Sequence, residues 1–441
     1  MTADITSPSL MPARNWRNWS GLVRFKPAAL GQPRSLGELQ AVIRETVDGG
    51  LTIRVAGSGH SFVPLVATDG VLLSLDHLTG IESIDDGNAV LWAGTRLQPL
   101  GHELSTRGYG MLNLGDINKQ SIAGAVATGT HGTGLGLGSI SSQVKALTLV
   151  LASGDTVTCS ANENPALFAA ARVSLGALGV IAKLTIALQP RYKLRLIKKT
   201  MDLDECLAEA PQLAADHRHF EFYWFPHTRV AGIKLMDPTE EPESNRGFTT
   251  ATELIVENGA FGLASRIARA NPDWAAPISK FIAWTMKGDE GTMVADCHRA
   301  FSSPRLVRFH EMEYELPIAN GADALRELAE FVERKKVQVH FPVEYRYVRG
   351  DDIWLSPFYK RDSVAISVHQ YVGMDYDAYF RGAEAIFRSH GGRPHWGKMH
   401  SLAAPELAPL YPQWGEFQRV RRELDPKGVF LNPYLKTLLG A

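Results

Sequence analysis

The pattern of hydrophobic and polar positions in the first 190 residues predicts short strands alternating with helices. Residues 35–47 have apolar positions at helical spacing, with Ser35 as a plausible N-cap, and the strand-like residues 51–55 follow. Further on, the pattern predicts strands at 71–75, 81–84, 89–93, 144–152, 155–159 and 178–188, and helices at 97–108 and 166–172. A change in texture near residue 190 predicts a domain boundary there.

Residues 191–390 are richer in aromatic side chains and predict a different layout. Strand-like runs at 220–225, 337–348 and 364–372 alternate with helical runs at 322–335 and 376–389, which favours an antiparallel sheet covered by helices. The polar, turn-rich residues 237–250 are predicted to form a loop. The prediction is therefore an α+β protein with domains at 13–190 and 191–390, followed by a loop-rich C-terminal segment at 391–441.

Composition narrows the functional class. A chain of 441 residues is too long for one core, and 45% hydrophobic with 21% charged residues is ordinary for a globular protein. The net charge of −1 gives no electrostatic case for nucleic acid or an anionic membrane as partner. The three cysteines have neither paired nor metal-ligand spacing, and no apolar run approaches the ~20 residues of a membrane span. The sequence shows no signal-peptide pattern, so we expect a cytoplasmic enzyme. We also expect no metal site.

Two stretches of small residues suggest a cofactor site. After the strand at 51–55, Gly57-Ser58-Gly59 allows backbone N–H groups to converge on a phosphate, although an ordinary turn is the alternative. It is not the dinucleotide fingerprint of Rossmann folds, because Pro64 leaves little room for the helix that fingerprint requires. Residues 121–134 are rich in glycine and hydroxyl side chains, which lets a large flat ligand approach the backbone closely.

Together these stretches resemble the FAD-binding domain (PCMH-type, in two parts) of the vanillyl-alcohol-oxidase superfamily, most closely the aldonolactone and alditol oxidase branch. The resemblance extends along the chain through Glu344-x-Arg346, the His-Trp-Gly-Lys run at 395–398 and the tail at 425–434. It implies FAD as cofactor, a covalent flavin bond through His60, and a C-terminal segment that folds back beside the flavin. The cofactor-binding residues it implies are Gly57, Ser58, Gly59, His60, Ser61, Gly115, Asp116, Ser121, Gly124, Thr128, Gly129, Thr130, His131, Val180 and His395.

The alternation of a strand places Glu344 and Arg346 on one face. They are either a surface ion pair or, as in the family, a substrate-binding pair whose arginine steadies developing negative charge. Lys398 is either a solvated charge or a cation that favours the reduced flavin, and His369 is either a core histidine or a substrate contact. Asp116 replaces a serine of the alditol oxidases, so substrate preference is expected to differ from theirs.

The resemblance favours oxidation of a sugar-derived alcohol, an aldono-1,4-lactone of the L-gulono-1,4-lactone type. Hydride would pass to flavin N5, and dioxygen would reoxidise the flavin to give hydrogen peroxide. Gly115 matches a position where glycine leaves room for dioxygen, although it is equally a turn glycine in Asn-Leu-Gly-Asp. The alternatives are an alditol oxidase, a lactone dehydrogenase with a different electron acceptor, and a flavin-binding protein without turnover.

Overall fold

Residues 10–74 build a small mixed sheet. The structure, a computed structural model, describes residues 10–244, 249–286, 291–302 and 307–441. The first elements are β1 (Leu10–Pro12), β2 (Trp16–Arg17), β3 (Arg24–Phe25), β4 (Ala29–Gly31), α1 (Leu36–Asp48), β5 (Ile53–Ala56) and β6 (Val71–Ser74). The sheet order is β1-β4-β6-β5, in which β4, β6 and β5 run parallel and β1 is antiparallel. The side chain of Ser35 accepts a hydrogen bond from the Glu38 N–H, which confirms the predicted cap of α1.

A second, antiparallel sheet follows. Its region contains β7 (Ile81–Asp85), β8 (Asn88–Trp92), α2 (Leu97–Thr106), β9 (Tyr109–Met111), α3 (Ile122–Ala127), β10 (Val144–Val150), β11 (Thr156–Ser160), α4 (Pro165–Ala171) and β12 (Val180–Pro190). The strand order is β11-β10-β12-β8-β7, with β9 paired to the end of β12. Gly154, at a φ of 81°, turns the chain between β10 and β11, in the gap between the strands predicted at 144–152 and 155–159.

The remainder forms the largest sheet and its covering helices. The elements are β13 (Lys193–Asp202), α5 (Leu203–Asp216), β14 (His219–Trp224), β15 (Val230–Thr239), α6 (Thr249–Ala270), α7 (Ala275–Met286), β16 (Gly291–Asp296), α8 (Cys297–Ala300), β17 (Phe309–Pro317), α9 (Ile318–Lys335), β18 (Val343–Val348), β19 (Ser363–Tyr371), α10 (Asp377–Ser389), β20 (Arg393–Pro394), α11 (Ala404–Leu407), α12 (Trp414–Leu424) and α13 (Pro433–Leu439). Eight antiparallel strands pair in the order β16-β13-β15-β14-β18-β19-β17-β20.

Two large hydrophobic clusters and a small third one, at Ala268, Ala275, Ile278 and Met374, make up the core of the described residues. The apolar face of the eight-stranded sheet packs with α5, α9 and α10 in one cluster, which confirms the α+β prediction of an antiparallel sheet covered by helices. The other large cluster joins the first two sheets to side chains of the C-terminal segment, including Trp396, Phe417 and Phe430. The predicted domain boundaries themselves stay a prediction.

The loop predicted at 237–250 is wrong at both ends. β15 continues to Thr239 because it pairs with β13 as far as the Thr239–Lys193 pair, and this pairing tolerates Pro238 inside the strand. At the other end α6 begins at Thr249, while residues 245–248 lie outside the described part. None of the described helices is long and apolar enough to cross a bilayer.

Candidate active site

The glycine-rich loop after β5 lies against the start of α3. A Cβ atom added to Gly57 would lie 2.3 Å from Ser121 Oγ, and Gly59 has a φ of 69°, so both positions need glycine for different reasons. The two segments line one cleft of about 1090 Å³. Glycines and small side chains line it, which leaves the backbone accessible to the phosphates of a dinucleotide.

Most of the predicted cofactor residues line this cleft or the cavity beside it. Gly57, Ser58, Gly59, His60, Ser61, Ser121, Gly124, Thr128 and Val180 line the cleft, whereas Gly115, Asp116, Thr130, His131 and His395 line the adjoining cavity. Gly129 belongs to neither lining and turns the chain at a φ of 76°, with its nearest neighbours in Pro357 and Val173. Its predicted cofactor contact stays a prediction.

The adjoining cavity, of about 650 Å³, shares His60, Ser61, Gln120 and Thr128 with the cleft. A ligand that fills the cleft can therefore extend into this cavity. All five predicted catalytic residues line it: Glu344, Arg346, Lys398, His369 and Asp116. The structure thus brings together residues that lie up to 282 positions apart in the chain.

Glu344 and Arg346 are buried, so the surface-ion-pair interpretation is wrong. Their exposed fractions are 5% and 7%, and an Arg346 Nη2 to Glu344 Oε2 distance of 3.1 Å joins them on the same face of β18. Tyr345, between them, packs into the cluster on the opposite face of the sheet. A buried carboxylate and guanidinium require partners, which they find in each other, in neighbouring strands and in a polar ligand.

A second acidic residue completes the arginine site, and the sequence analysis missed it. Glu313 on β17 accepts hydrogen bonds from Arg346 Nη2 at 2.5 Å and from the Ser367 hydroxyl, and its Oε1 lies 2.9 Å from His131 Nε2. Burial alone would raise the pKa of Glu313, but Arg346 and His131 outweigh burial and hold it well below its usual range. Glu313 is therefore an ionised carboxylate that joins Arg346 to His131.

Glu311, also missed, joins two more of the predicted catalytic residues, Lys398 and His369. Its carboxylate contacts Lys398 Nζ, and its Oε1 lies 3.4 Å from His369 Nε2. Burial opposes ionisation of Glu311, yet Lys398 and His369 lower its pKa. Lys398 is 17% exposed, so it is not a solvated surface charge. The signal that could have found these acids is Glu311-x-Glu313-x-Glu315, a period-two acidic face in an otherwise apolar strand.

Two histidines beside the arginine site, His395 and His131, have ring nitrogens that make hydrogen bonds within the protein. His395 Nδ1 accepts the Gly397 N–H at 3.0 Å, so its proton is on Nε2, and burial lowers its pKa to about 3. His131 has acceptors at both nitrogens, the Gly132 carbonyl oxygen and the ionised Glu313, each at 2.9 Å. Both nitrogens of the His131 ring are therefore held by oxygen atoms of the protein.

The same two histidines and Glu313 have ligand atoms within 4.8 Å of one another, a spacing that would suit a metal ion. His395 Nδ1 and both oxygens of Glu313 already make hydrogen bonds. We therefore interpret this cluster as a hydrogen-bond network.

His60 lies where the cleft meets the cavity. Its ring is 5.8 Å from that of Trp19, and burial, followed by the charges of Lys398, Arg96 and Lys119, lowers its pKa to about 4. His60 is consequently neutral at pH 7, the form in which an imidazole nitrogen is nucleophilic.

Gly115 and Asp116 line the same cavity as the arginine. A Cβ atom on Gly115 would lie 2.9 Å from the His131 carbonyl oxygen, so packing alone requires glycine there. Asp116 accepts a hydrogen bond from the Tyr223 hydroxyl at 3.2 Å. Burial, together with the charge of Asp116, raises the pKa of the neighbouring Glu221.

Comparison with known proteins defines the class of the protein first. Residues 27–160 match the family described as FAD binding domain. The residues of the cleft fit that cofactor, because they combine a glycine nest for a pyrophosphate with a second cavity for a ring system. The fold and the site define an FAD-dependent oxidoreductase.

The second half of the chain identifies the family. Residues 184–438, more than half of the chain, match the family described as D-arabinono-1,4-lactone oxidase, and the chain belongs to this family. It is 37% identical to an L-gulono-1,4-lactone dehydrogenase of Mycobacterium tuberculosis over 96% of this chain and 99% of that protein. It is 31% identical to an L-gulonolactone oxidase of Scyliorhinus torazame, over 96% of this chain and 97% of that protein.

A solved structure shares the fold across the whole chain. Cholesterol oxidase from Brevibacterium sterolicum matches with a TM-score of 0.85 and 19% identity, covering 99% of both chains. At this identity the likeness concerns the fold alone.

Proposed function

We propose that this protein oxidises an aldono-1,4-lactone of the L-gulono-1,4-lactone type with FAD as its cofactor. The observation that carries the proposal is the buried group of Glu344, Arg346 and Lys398 in a cavity continuous with the glycine-lined cleft. Carboxylates and cations in such a cavity suit a ligand dense in hydroxyl groups. The names of the two relatives, both enzymes acting on gulonolactone, support this substrate class.

The bound flavin supplies a hydride acceptor, and the chain supplies binding, orientation and proton transfer. Arg346, fixed by Glu313 and Glu344, donates hydrogen bonds to the substrate oxygen and stabilises negative charge there. Glu344 and Asp116 accept hydrogen bonds from substrate hydroxyls. Lys398 places a positive charge in the same cavity, which favours the anionic reduced cofactor.

His369 is the group that we assign to proton removal from the substrate hydroxyl. Its Nδ1 lies 3.0 Å from the Pro342 carbonyl oxygen, so Nδ1 is the donor there and Nε2 is the atom left for the cavity and Glu311. Proton removal requires the form in which Nε2 is unprotonated and free of its contact with Glu311; once Nε2 has taken the hydroxyl proton, it donates to Glu311, which stabilises the positive charge.

The covalent bond to flavin through His60 is part of the proposal. The low pKa of His60, about 4, and its place between the cleft and the cavity support it. Acid precipitation of the purified protein tests this directly. Yellow colour should remain in the pellet of the parent protein and move to the supernatant in His60→Ala, whereas colour in the supernatant of both proteins would refute the bond.

We propose dioxygen as the electron acceptor, with hydrogen peroxide as product. Gly115 does not decide this point, because the nearby His131 carbonyl already explains the glycine. The relative named a dehydrogenase supports the second candidate, a lactone dehydrogenase with a different acceptor. After anaerobic reduction by lactone, mixing with air-saturated buffer should restore the flavin band within the turnover time; reoxidation only by an added dye or protein acceptor would favour the dehydrogenase.

The decisive experiment is anaerobic mixing of the purified flavoprotein with L-gulono-1,4-lactone, other aldonolactones and alditols. Lactone should bleach the flavin band near ~450 nm, a property of the cofactor itself. Bleaching by alditols alone would make the protein an alditol oxidase. A flavoprotein that neither group of substrates reduces would refute the proposal.

A further inference from the structure

Arg54, on β5, is a buried cation at the base of the FAD cleft. It is 3% exposed, and it lines the same cleft as the Gly57–Gly59 loop. Its guanidinium donates to the carbonyl oxygens of Leu65 at 2.8 Å, Leu175 at 2.6 Å and Gly176 at 3.0 Å, and also to that of Phe430. One side chain therefore ties β5 to two distant segments, the turn before β12 and the C-terminal segment.

These partners are dipoles rather than charges. Within the described ranges, no carboxylate forms an ion pair with Arg54, and its hydrogen bonds all end on carbonyl oxygens. Burial lowers the pKa of Arg54 to about 10, so it remains a cation at pH 7. A buried charge is normally paired, and carbonyl dipoles only partly replace the water it has lost.

The turn that Arg54 holds is strained and belongs to the cleft wall. Leu175 has a φ of 55° and Gly176 a φ of 67°, and both line the cleft. A leucine in the left-handed region persists only when its surroundings impose it, and such residues concentrate at ligand clamps. Here the surroundings include the guanidinium, which binds both carbonyl groups of the turn.

We propose that Arg54 is a cofactor-positioning residue whose buried charge is the counter-ion of the FAD pyrophosphate and whose hydrogen bonds couple cofactor binding to the C-terminal segment. The proposal rests on FAD binding and is independent of the lactone substrate. An anionic ligand in the cleft supplies the charge that none of the described residues places beside Arg54. Because Phe430 is bound by the same guanidinium, filling the cleft also stabilises that segment.

The test compares ligands with and without the pyrophosphate. In a His60→Ala background, where binding is expected to be reversible, dissociation constants for FAD and for riboflavin are measured by flavin fluorescence. Arg54→Lys keeps the positive charge and Arg54→Gln removes it. Both variants lose the guanidinium group that donates to several carbonyl oxygens at once. We expect the preference for FAD over riboflavin to fall about tenfold or more in the Gln variant and to stay within about threefold of the parent in the Lys variant.

Equal preferences in the two variants would overturn the role of the charge, because a purely structural arginine affects FAD and riboflavin alike.

A second measurement needs no change at position 54. Hydrogen exchange in the His60→Ala protein should slow around Phe430 with FAD and slow less with riboflavin. Equal protection by the two ligands would overturn the proposed coupling. Asp425→Asn tests the coupling from the other end: Asp425 accepts hydrogen bonds from the N–H groups of Val429 and Phe430, so loosening this segment should lower the preference for FAD over riboflavin, and an unchanged preference would overturn the coupling.

Discussion

Replacing Glu313 by glutamine tests whether this carboxylate organises the substrate site. The change keeps the size of the side chain but removes its charge. The amide can no longer accept at both positions from Arg346, His131 and Ser367, so its NH₂ group must face at least one donor. Arg346 would then keep Glu344, at 3.1 Å, as its nearest carboxylate.

The expected loss of activity and stability follows from the two charge-assisted hydrogen bonds that the change weakens, those of Glu313 with Arg346 and with His131. Each is worth about 1.5–3 kcal/mol, and breaking a buried ion pair costs about 3–5 kcal/mol in total. If half of that is lost from the transition state, kcat/KM falls about 10- to 60-fold, since about 1.4 kcal/mol corresponds to tenfold. The remainder appears as a lower free energy of unfolding.

The assay is anaerobic stopped-flow reduction of the bound flavin by lactone, combined with chemical unfolding and flavin content. Ser367→Ala is the matched control, because it removes a neutral donor from the same carboxylate and should cost only about 1 kcal/mol. A Glu313→Gln protein with parental reduction rate and stability would refute the reasoning. So would a Ser367→Ala protein that is equally impaired, because the effect would then not come from the charge.

Three further predictions concern the cofactor cleft, the lysine and acid stability. Gly57→Ala should be purified with little FAD because its Cβ would lie 2.3 Å from Ser121 Oγ, whereas Gly136→Ala, with open space around it, should keep full flavin absorbance. Lys398→Met should slow anaerobic flavin reduction at least about tenfold, the loss expected for one charged contact, with flavin content unchanged; an unaltered rate would contradict a role for its charge. Stability should fall as pH drops from 6.5 towards 4, by about 1.4 kcal/mol per pH unit for each buried histidine, because the folded state resists protonation that the unfolded chain accepts. Urea unfolding at pH 7.5 and 5 checks this, and equal stability at the two would contradict it. The histidines whose pKa is lowered to about 3 or 4 are His60, His219, His340, His395 and His400.

The sequence by itself determined features that depend on neighbouring residues. The cap of α1, the hairpin at Gly154 and the shared face of Glu344 and Arg346 follow from local hydrogen bonding, backbone freedom and the two-residue period of a strand. The family motifs indicated the cofactor and the class of substrate, because the residues that bind them occur in a characteristic order along the chain.

Only the tertiary structure decided which charges meet. Pairing of β17, β19 and β18 sets Glu313 opposite Ser367, and Ser367 opposite Glu344, which brings Glu313 within reach of Arg346. The partners of Arg54 lie 11 to 376 residues away, and no local period predicts them. Strand register and the packing of distant segments are set by the total burial of the core, so a pattern read along the chain cannot supply them.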